Sequence, residues 1–189
     1  MGCDIHIYVE KKVNGKWECI DDFEKNQDGF LEIKSEEIYH DRNYPLFALL
    51  ANVRNYAGIE PISKPKGLPT DLSDQVKEMA DIWSCDGHSP SYLTLQELLN
   101  YDFETMIPDK GYILNETWEK FQETLKNGSP DYSLLYPSDD WVTSNLGWME
   151  RMWEQPAKTI DKQFYEKTIP RLKELGNPDE IRIVFWFDN

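Results

Sequence analysis

The chain has 189 residues, a formal net charge of −15 and a 40% hydrophobic fraction that includes seven Trp, ten Tyr and eight Phe. This is enough apolar material for the core of a single domain over residues 1–189, and it excludes a polar, disordered chain. It also excludes broad electrostatic binding to DNA or RNA, because an acidic surface repels phosphates.

The first ten residues, MGCDIHIYVE, lack the basic and apolar regions of a secretion signal. Met1-Gly2-Cys3 resembles a lipidation start, but His6 stands where myristoylation requires Ser or Thr. No run approaches the roughly 18 apolar residues of a membrane span. Three cysteines, an odd number, fit reduced thiols better than a disulfide framework. A cytoplasmic protein is expected.

From Asp4 to Glu10 the chain alternates, with Ile5, Ile7 and Val9 on one face and Asp4, His6, Tyr8 and Glu10 on the other. Asn14-Gly15 is the favoured pair for a type I′ turn, so a return strand from Lys16 to about Phe23 is expected. The implied register sets Glu10 opposite Cys19 and Val9 opposite Ile20, leaving Cys3 and Cys19 far apart. Residues 24–41 read as acidic and irregular, with room for one short edge strand.

Asn43 can cap a helix that tolerates Pro45 in its first turn, and Leu46, Phe47, Leu49, Leu50 and Val53 give it an apolar stripe to about Arg54. Gly58–Pro69 reads as a structured loop. A helix capped by Ser73 should run to about Trp83, followed by a CDGH loop at 85–88. Thr94-Leu-Gln-Glu97 is a capping box for a short helix through Leu99. Glu116–Lys126 reads as helix, stopped by Asn127-Gly128. Residues 129–146 read as loop and 148–153 as strand. A helix from about Thr159 to Leu175 should kink at Pro170. The closing run Ile181–Phe187 is apolar throughout and belongs inside a sheet. The fold class is therefore α+β: a small, mainly antiparallel sheet containing the N-terminal hairpin and the C-terminal strand, with helices packed against it.

Charge is uneven along the chain. From Lys16 to Glu37 three Lys face eight carboxylates, whereas from His40 to Pro69 Arg42, Arg54, Lys64 and Lys66 face only Asp41 and Glu60. The second stretch can hold a small anion, or its charges can simply be scattered over the surface.

CDIH at 3–6 and CDGH at 85–88 use two of the three cysteines and two of the three histidines. On a strand Cys3 and His6 point to opposite faces, whereas Asp4 and His6 share one. If metal binds, Asp4 and His6 with Asp86 and His88 form an N/O set suited to Zn, Mn or Fe. Without metal, a carboxylate can orient one imidazole as general acid or base, with His6 and His88 the catalytic candidates and Ser89 and Ser91 adding hydroxyls. The plainest alternative is that both segments make only structural polar contacts. The tryptophans carry a similar choice between packing and stacking on a purine-like ring. D-x-H also opens the metallophosphoesterase signature, but the later GDxxD and GNH elements are absent. So are the P-loop, GxGxxG, CxxC and GxSxG motifs.

Taken together, MGCDIHIYVE, DRNYPLFALLANVRN, PISKPKGLPTDLS, CDGHSPSYLTLQEL and RIVFWFDN resemble a group of uncharacterised proteins from bacteriophages, prophages and some bacteria. In that group the loop often reads HSHSYLTL; Pro90 here replaces its second histidine, which weakens a three-histidine metal site. The resemblance implies that Asp4, His6, Arg42, Arg54, Asp86, His88 and Ser91 lie in shared segments. It also implies an accessory protein acting in the host cytoplasm, for instance by capturing a nucleotide-derived immune signal.

The leading expectation is a binding protein for a small anionic, nucleotide-like ligand. Arg42 and Arg54 would contact the anion, with Asp4, His6, His88 and Ser91 forming a polar wall and Asp86 a further ligand-binding candidate. The alternatives are a hydrolase of a nucleotide-like phosphoester, with or without Zn or Mn, and an acidic protein that blocks a host protein through the carboxylates of residues 18–37.

Overall fold

The computed structural model describes residues 2–27, 29, 31–34, 38–136 and 147–189. Its main sheet has the order β2-β1-β8-β5 and is antiparallel throughout. Strand β1 (Asp4–Val13) turns through Asn14 and Gly15, both at positive φ, into β2 (Lys16–Cys19). Glu10 faces Cys19 as the turn requires, and Ile20 N–H donates to the Val9 carbonyl. The return strand is shorter than expected. The chain leaves it at Ile20 and forms a second ribbon, β3 (Phe23–Lys25) with β4 (Leu31–Ile33), where irregular chain with one edge strand was anticipated.

Strand β8 (Ile181–Asp188) lies inside the sheet, paired with β1 from Asp4↔Asp188 to Lys11↔Ile181. Its other edge pairs with β5 (His88–Thr94), so the chain after Gly87 is strand rather than loop. His-Ser-Pro-Ser has neither alternation nor β-branched residues, so sequence pattern could not reveal it. A β-bulge between His88 and Ser91 accommodates the irregularity.

One sheet face carries Cys3, Ile5, Ile7, Phe185 and Phe187. It packs on α1 (Tyr44–Ala51) and on α5 (Ile169–Glu174). Asn43 caps α1 by accepting from Leu46 N–H, as its position predicts. The other face carries Tyr8, Val184 and Trp186. It packs on α2 (Asp74–Ile82) and on Phe23, Leu31 and Ile33 of the second ribbon. Ser73 precedes α2 without capping it through its side chain; its backbone N–H instead donates to Glu10. That glutamate is fully buried against Arg182, its cross-strand partner, which also donates to Asp71.

The Thr94–Glu97 capping box opens α3 (Leu95–Asn100). A third ribbon, β6 (Met106–Leu114) with β7 (Trp148–Pro156), carries α4 (Asn115–Lys126) on a small core of Ile113, Phe121 and Trp153. β6 was not legible in the sequence, because Pro108, Asp109, Lys110 and Gly111 break its apolar pattern. Part of the expected 129–146 loop, residues 137–146, lies outside the described residues, as does Trp141. The expected long helix before Gly176 is present over residues 162–174, with a π-helical turn (Phe164–Thr168) inside it and α5 as its last part; a 3₁₀ turn (Ala157–Thr159) lies where its start was expected. Pro170 has no N–H to return to Glu166, and the widened turn precedes it where a kink was expected.

Among the described residues no helix is long and apolar enough to cross a membrane.

Candidate functional site

The two CDxH segments meet at the end of the sheet where β8 finishes, but their imidazoles lie on opposite faces. His6 is paired with Trp186 and sits against Trp83, with ring centroids 4.1 Å apart. Its Nε2 is 3.2 Å from Oδ2 of Asp188, whose Oδ1 accepts the Asp4 N–H. His88 pairs with Phe187 on the other face, and its Nε2 is 3.9 Å from the sulfur of Cys3. Gly87 makes the turn into β5 possible: a Cβ there would lie 2.9 Å from the Trp83 carbonyl oxygen and 3.3 Å from Trp186 Cδ1.

This arrangement does not fit a metal held by Asp4, His6, Asp86 and His88. Asp4 is forked by Arg42, through Nε–Oδ1 at 2.8 Å and an NH2–Oδ2 contact of 2.6 Å. His6 faces Asp188, His88 is across the sheet, and Asp86 is exposed on the turn after α2. Among the described residues no three His, Cys, Asp or Glu side chains gather where they could hold an ion. Ser91 is equally unsuited to a polar wall, being buried with its hydroxyl accepting Lys66 N–H.

Arg42 and Arg54 do come together. They line one groove of about 690 Å³, together with other residues of the 42–59 segment, of β6 and of the 132–136 segment. That volume lies within the range of about 300–1,000 Å³ typical of small-molecule sites. Tyr44, Tyr56, Asp109 and Tyr132 line it as well. Of the basic stretch, Lys66 lies elsewhere, paired with Glu97 and 4.6 Å from the Tyr92 ring centroid.

Arg54 connects this groove to the Cys3–His88 pair. Its guanidinium donates to the Tyr56 hydroxyl (3.3 Å) and to Asn189 Oδ1 (2.8 Å), lies 6.0 Å from the Tyr44 ring centroid and favours the charged form of the Cys3 thiol. Burial pushes the Cys3 thiol up; the guanidinium opposes that shift, while Asp188 and Asp4 add to it. The thiol is therefore protonated near neutral pH. Tyr44 is likewise pushed up by burial, so its hydroxyl remains a donor.

Two backbone outliers flank the same pair. Arg54 has φ 49° and Ser89 has φ 50°, and Ser89 Oγ lies 3.1 Å from Nδ1 of His88. A left-handed conformation costs a residue with a Cβ about 1–2 kcal/mol, and such strain concentrates where surrounding structure fixes a functional side chain. Among the described residues the other positive-φ residues with side chains are Asn14 in the hairpin and Asn52 at the end of α1, both ordinary for asparagine.

Sequence reasoning missed Cys3 as the partner of His88, Asp188 as the partner of His6, and Asp109 and Tyr132 as part of the groove lining. The alternation in β1 correctly separates Cys3 from His6, but gives no sign that a second strand brings His88 to the sulfur. Comparison of the chain with protein-family models, curated proteins and solved structures finds no match.

Proposed function

We propose that this protein binds a small anionic, nucleotide-like ligand in the groove lined by Arg42, Arg54, Tyr44 and Tyr56. One observation carries the reading: two guanidinium groups and two phenol rings share the lining of a single groove of ligand size. Guanidinium forks match phosphate oxygens, and aromatic faces accept a base by stacking. Asp4 occupies two of the five Arg42 N–H donors and fixes its plane, which pre-organises the rest of the fork. Arg54 is held in a strained conformation by the residues it touches, a further sign of selection for position over backbone comfort. In this reading the protein is an accessory factor of the phage-type group its sequence resembles, and it sequesters a nucleotide-derived signal.

A hydrolase is the second reading, favoured by the His6–Asp188 contact. A carboxylate 3.2 Å from an imidazole is the arrangement that orients a general base.

Isothermal titration calorimetry of the purified protein against AMP, ADP, ADP-ribose and cyclic dinucleotides tests both readings. Saturable heat with at least one, and recovery of that ligand intact after denaturation, is the result expected of a binder. A cleaved ligand favours the hydrolase, and no heat with any of them overturns the binding proposal.

A further inference from the structure

Arg42 owes its place in the groove to a neighbour that has no side chain, a relation that deepens the nucleotide-binding reading on which this inference rests. Gly2 and Arg42 both line the groove. A Cβ built on Gly2 would lie 2.5 Å from Nη1 of Arg42, 2.8 Å from its Cζ and 2.9 Å from its Nη2. Non-bonded carbon atoms pack at about 3.5–4.0 Å, so all three distances are collisions. The guanidinium occupies the space that any side chain at position 2 would need.

A second contact holds the same group. Arg42 Nε donates to Asp4 Oδ1 at 2.8 Å and Nη2 to Asp4 Oδ2 at 2.6 Å. Asp4 is itself anchored, because it pairs with Asp188 across the sheet and its N–H donates to Asp188 Oδ1 at 3.2 Å. One short stretch of chain therefore fixes Arg42 twice. The Asp4 carboxylate sets the plane of the fork, and the bare backbone of Gly2 leaves room for it. The atoms that a methyl group at position 2 would meet are the tip of a long, half-exposed side chain, unlike the backbone oxygen that faces Gly87. A flexible tip yields before a backbone does. The cost of such a methyl group falls on the placement of the arginine and not on the fold.

We infer that Gly2 is a positioning residue of the groove: the absence of a side chain at position 2 seats the Arg42 guanidinium, and the anion affinity of the groove depends on it.

The test combines calorimetry with ADP on wild type, Gly2→Ala, Arg42→Ala and the double variant with two ligand-free measurements, melting temperature and an NMR titration of the Asp4 carboxyl. Gly2→Ala should melt within about 2 °C of wild type, as a substitution that leaves the core untouched does. Its ADP affinity should fall roughly three- to tenfold, as in Arg42→Ala. The double variant should bind no more weakly than either single one, because both changes remove the same contact. In wild type the Arg42 fork holds the Asp4 carboxyl below the usual carboxylate range, and Gly2→Ala should return it toward that range. Wild-type ADP affinity and Asp4 titration in Gly2→Ala overturn the inference. Losses that multiply in the double variant do so too, since Gly2 then acts apart from Arg42. So does a lower melting temperature with the Asp4 titration unchanged, because the backbone has then moved in place of the arginine. Should wild type bind neither ADP nor the other nucleotides, the nucleotide-binding reading falls, and the Asp4 titration alone decides whether Gly2 seats Arg42.

Discussion

The sulfur of Cys3 lies 3.9 Å from Nε2 of His88, joining the two CDxH segments through residues on the apolar face of the sheet. The contact ties the start of β1 to the start of β5, and Arg54 extends it to the groove. Cys3 is fully buried, Cys19 half-buried and Cys85 exposed. Alkylation by iodoacetamide, followed by peptide mass spectrometry, should modify Cys85 first and Cys3 last. Arg54→Ala removes the guanidinium that favours the Cys3 thiolate and should slow modification of Cys3 relative to that of Cys19. Labelling of Cys3 as fast as Cys85 in the wild type would contradict the packing described.

Arg54→Ala should weaken nucleotide binding about 10–100-fold, the range for losing a charge-assisted hydrogen bond of about 1.5–3 kcal/mol. Arg42→Ala should cost less, because part of that fork is committed to Asp4. Titration calorimetry with the best ligand measures both. An undiminished affinity in Arg54→Ala would place the ligand elsewhere.

Gly87→Ala introduces a methyl group 2.9 Å from a backbone oxygen, which cannot move as a flexible side chain would. Overpacking of this kind costs about 1–3 kcal/mol. Chemical denaturation should show that loss. His88 resonances should shift with it, since the turn sets the start of β5. A neutral substitution would mean that the turn relaxes freely.

The buried pair of Glu10 and Arg182 gives a sharper stability test. Arg182→Met leaves the Glu10 carboxylate buried without its partner, a change worth about 3–5 kcal/mol. Glu10→Gln with Arg182→Met together should recover much of that loss. If the single and double variants are equally unstable, the cost lies in packing against Trp17, whose ring centroid is 4.0 Å from the guanidinium, rather than in the unpaired charge.

The Arg42 fork beside Asp4 holds that carboxyl below the usual carboxylate range. Because the folded-state value is depressed, the pair stabilises the fold above the unfolded value of about 3.9 and loses that contribution as pH falls through the folded one. Both partners are about half exposed, so solvent screens the pair and the effect should be small. Urea midpoints of wild type and Asp4→Asn should differ at pH 6 and converge in acid, as pH falls through the depressed folded-state value. A gap that widens in acid would reverse the sign and refute the assignment.

Much of the fold was legible because local chemistry determines it. Asn14-Gly15 sets a register that fixes Glu10 opposite Cys19; Asn43 caps α1; Thr94 and Glu97 close a capping box; the apolar run of β8 requires two paired neighbours. β5 and β6 were not legible, because neither His88-Ser-Pro-Ser91 nor Pro108-Asp-Lys-Gly111 has a strand's periodicity, and long-range pairing holds them in place. The site divides in the same way. Arg42 and Arg54 stand out as cations in an acidic chain, and they share the groove. The histidines and Asp86 were grouped by motif, but strand pairing sends them to different places. Asp109 carried no local signal, since its place in the groove depends on strand pairing distant in sequence.

The most direct test is an ¹⁵N-resolved NMR titration of the wild type with ADP, following backbone amides. The account predicts saturable shifts that map to Arg54, Tyr56, Asp109 and Lys110 in the groove, with little change at His6, Trp83 and Trp186 across the sheet. Shifts confined to the His6 face, or none at saturating ADP, would contradict it.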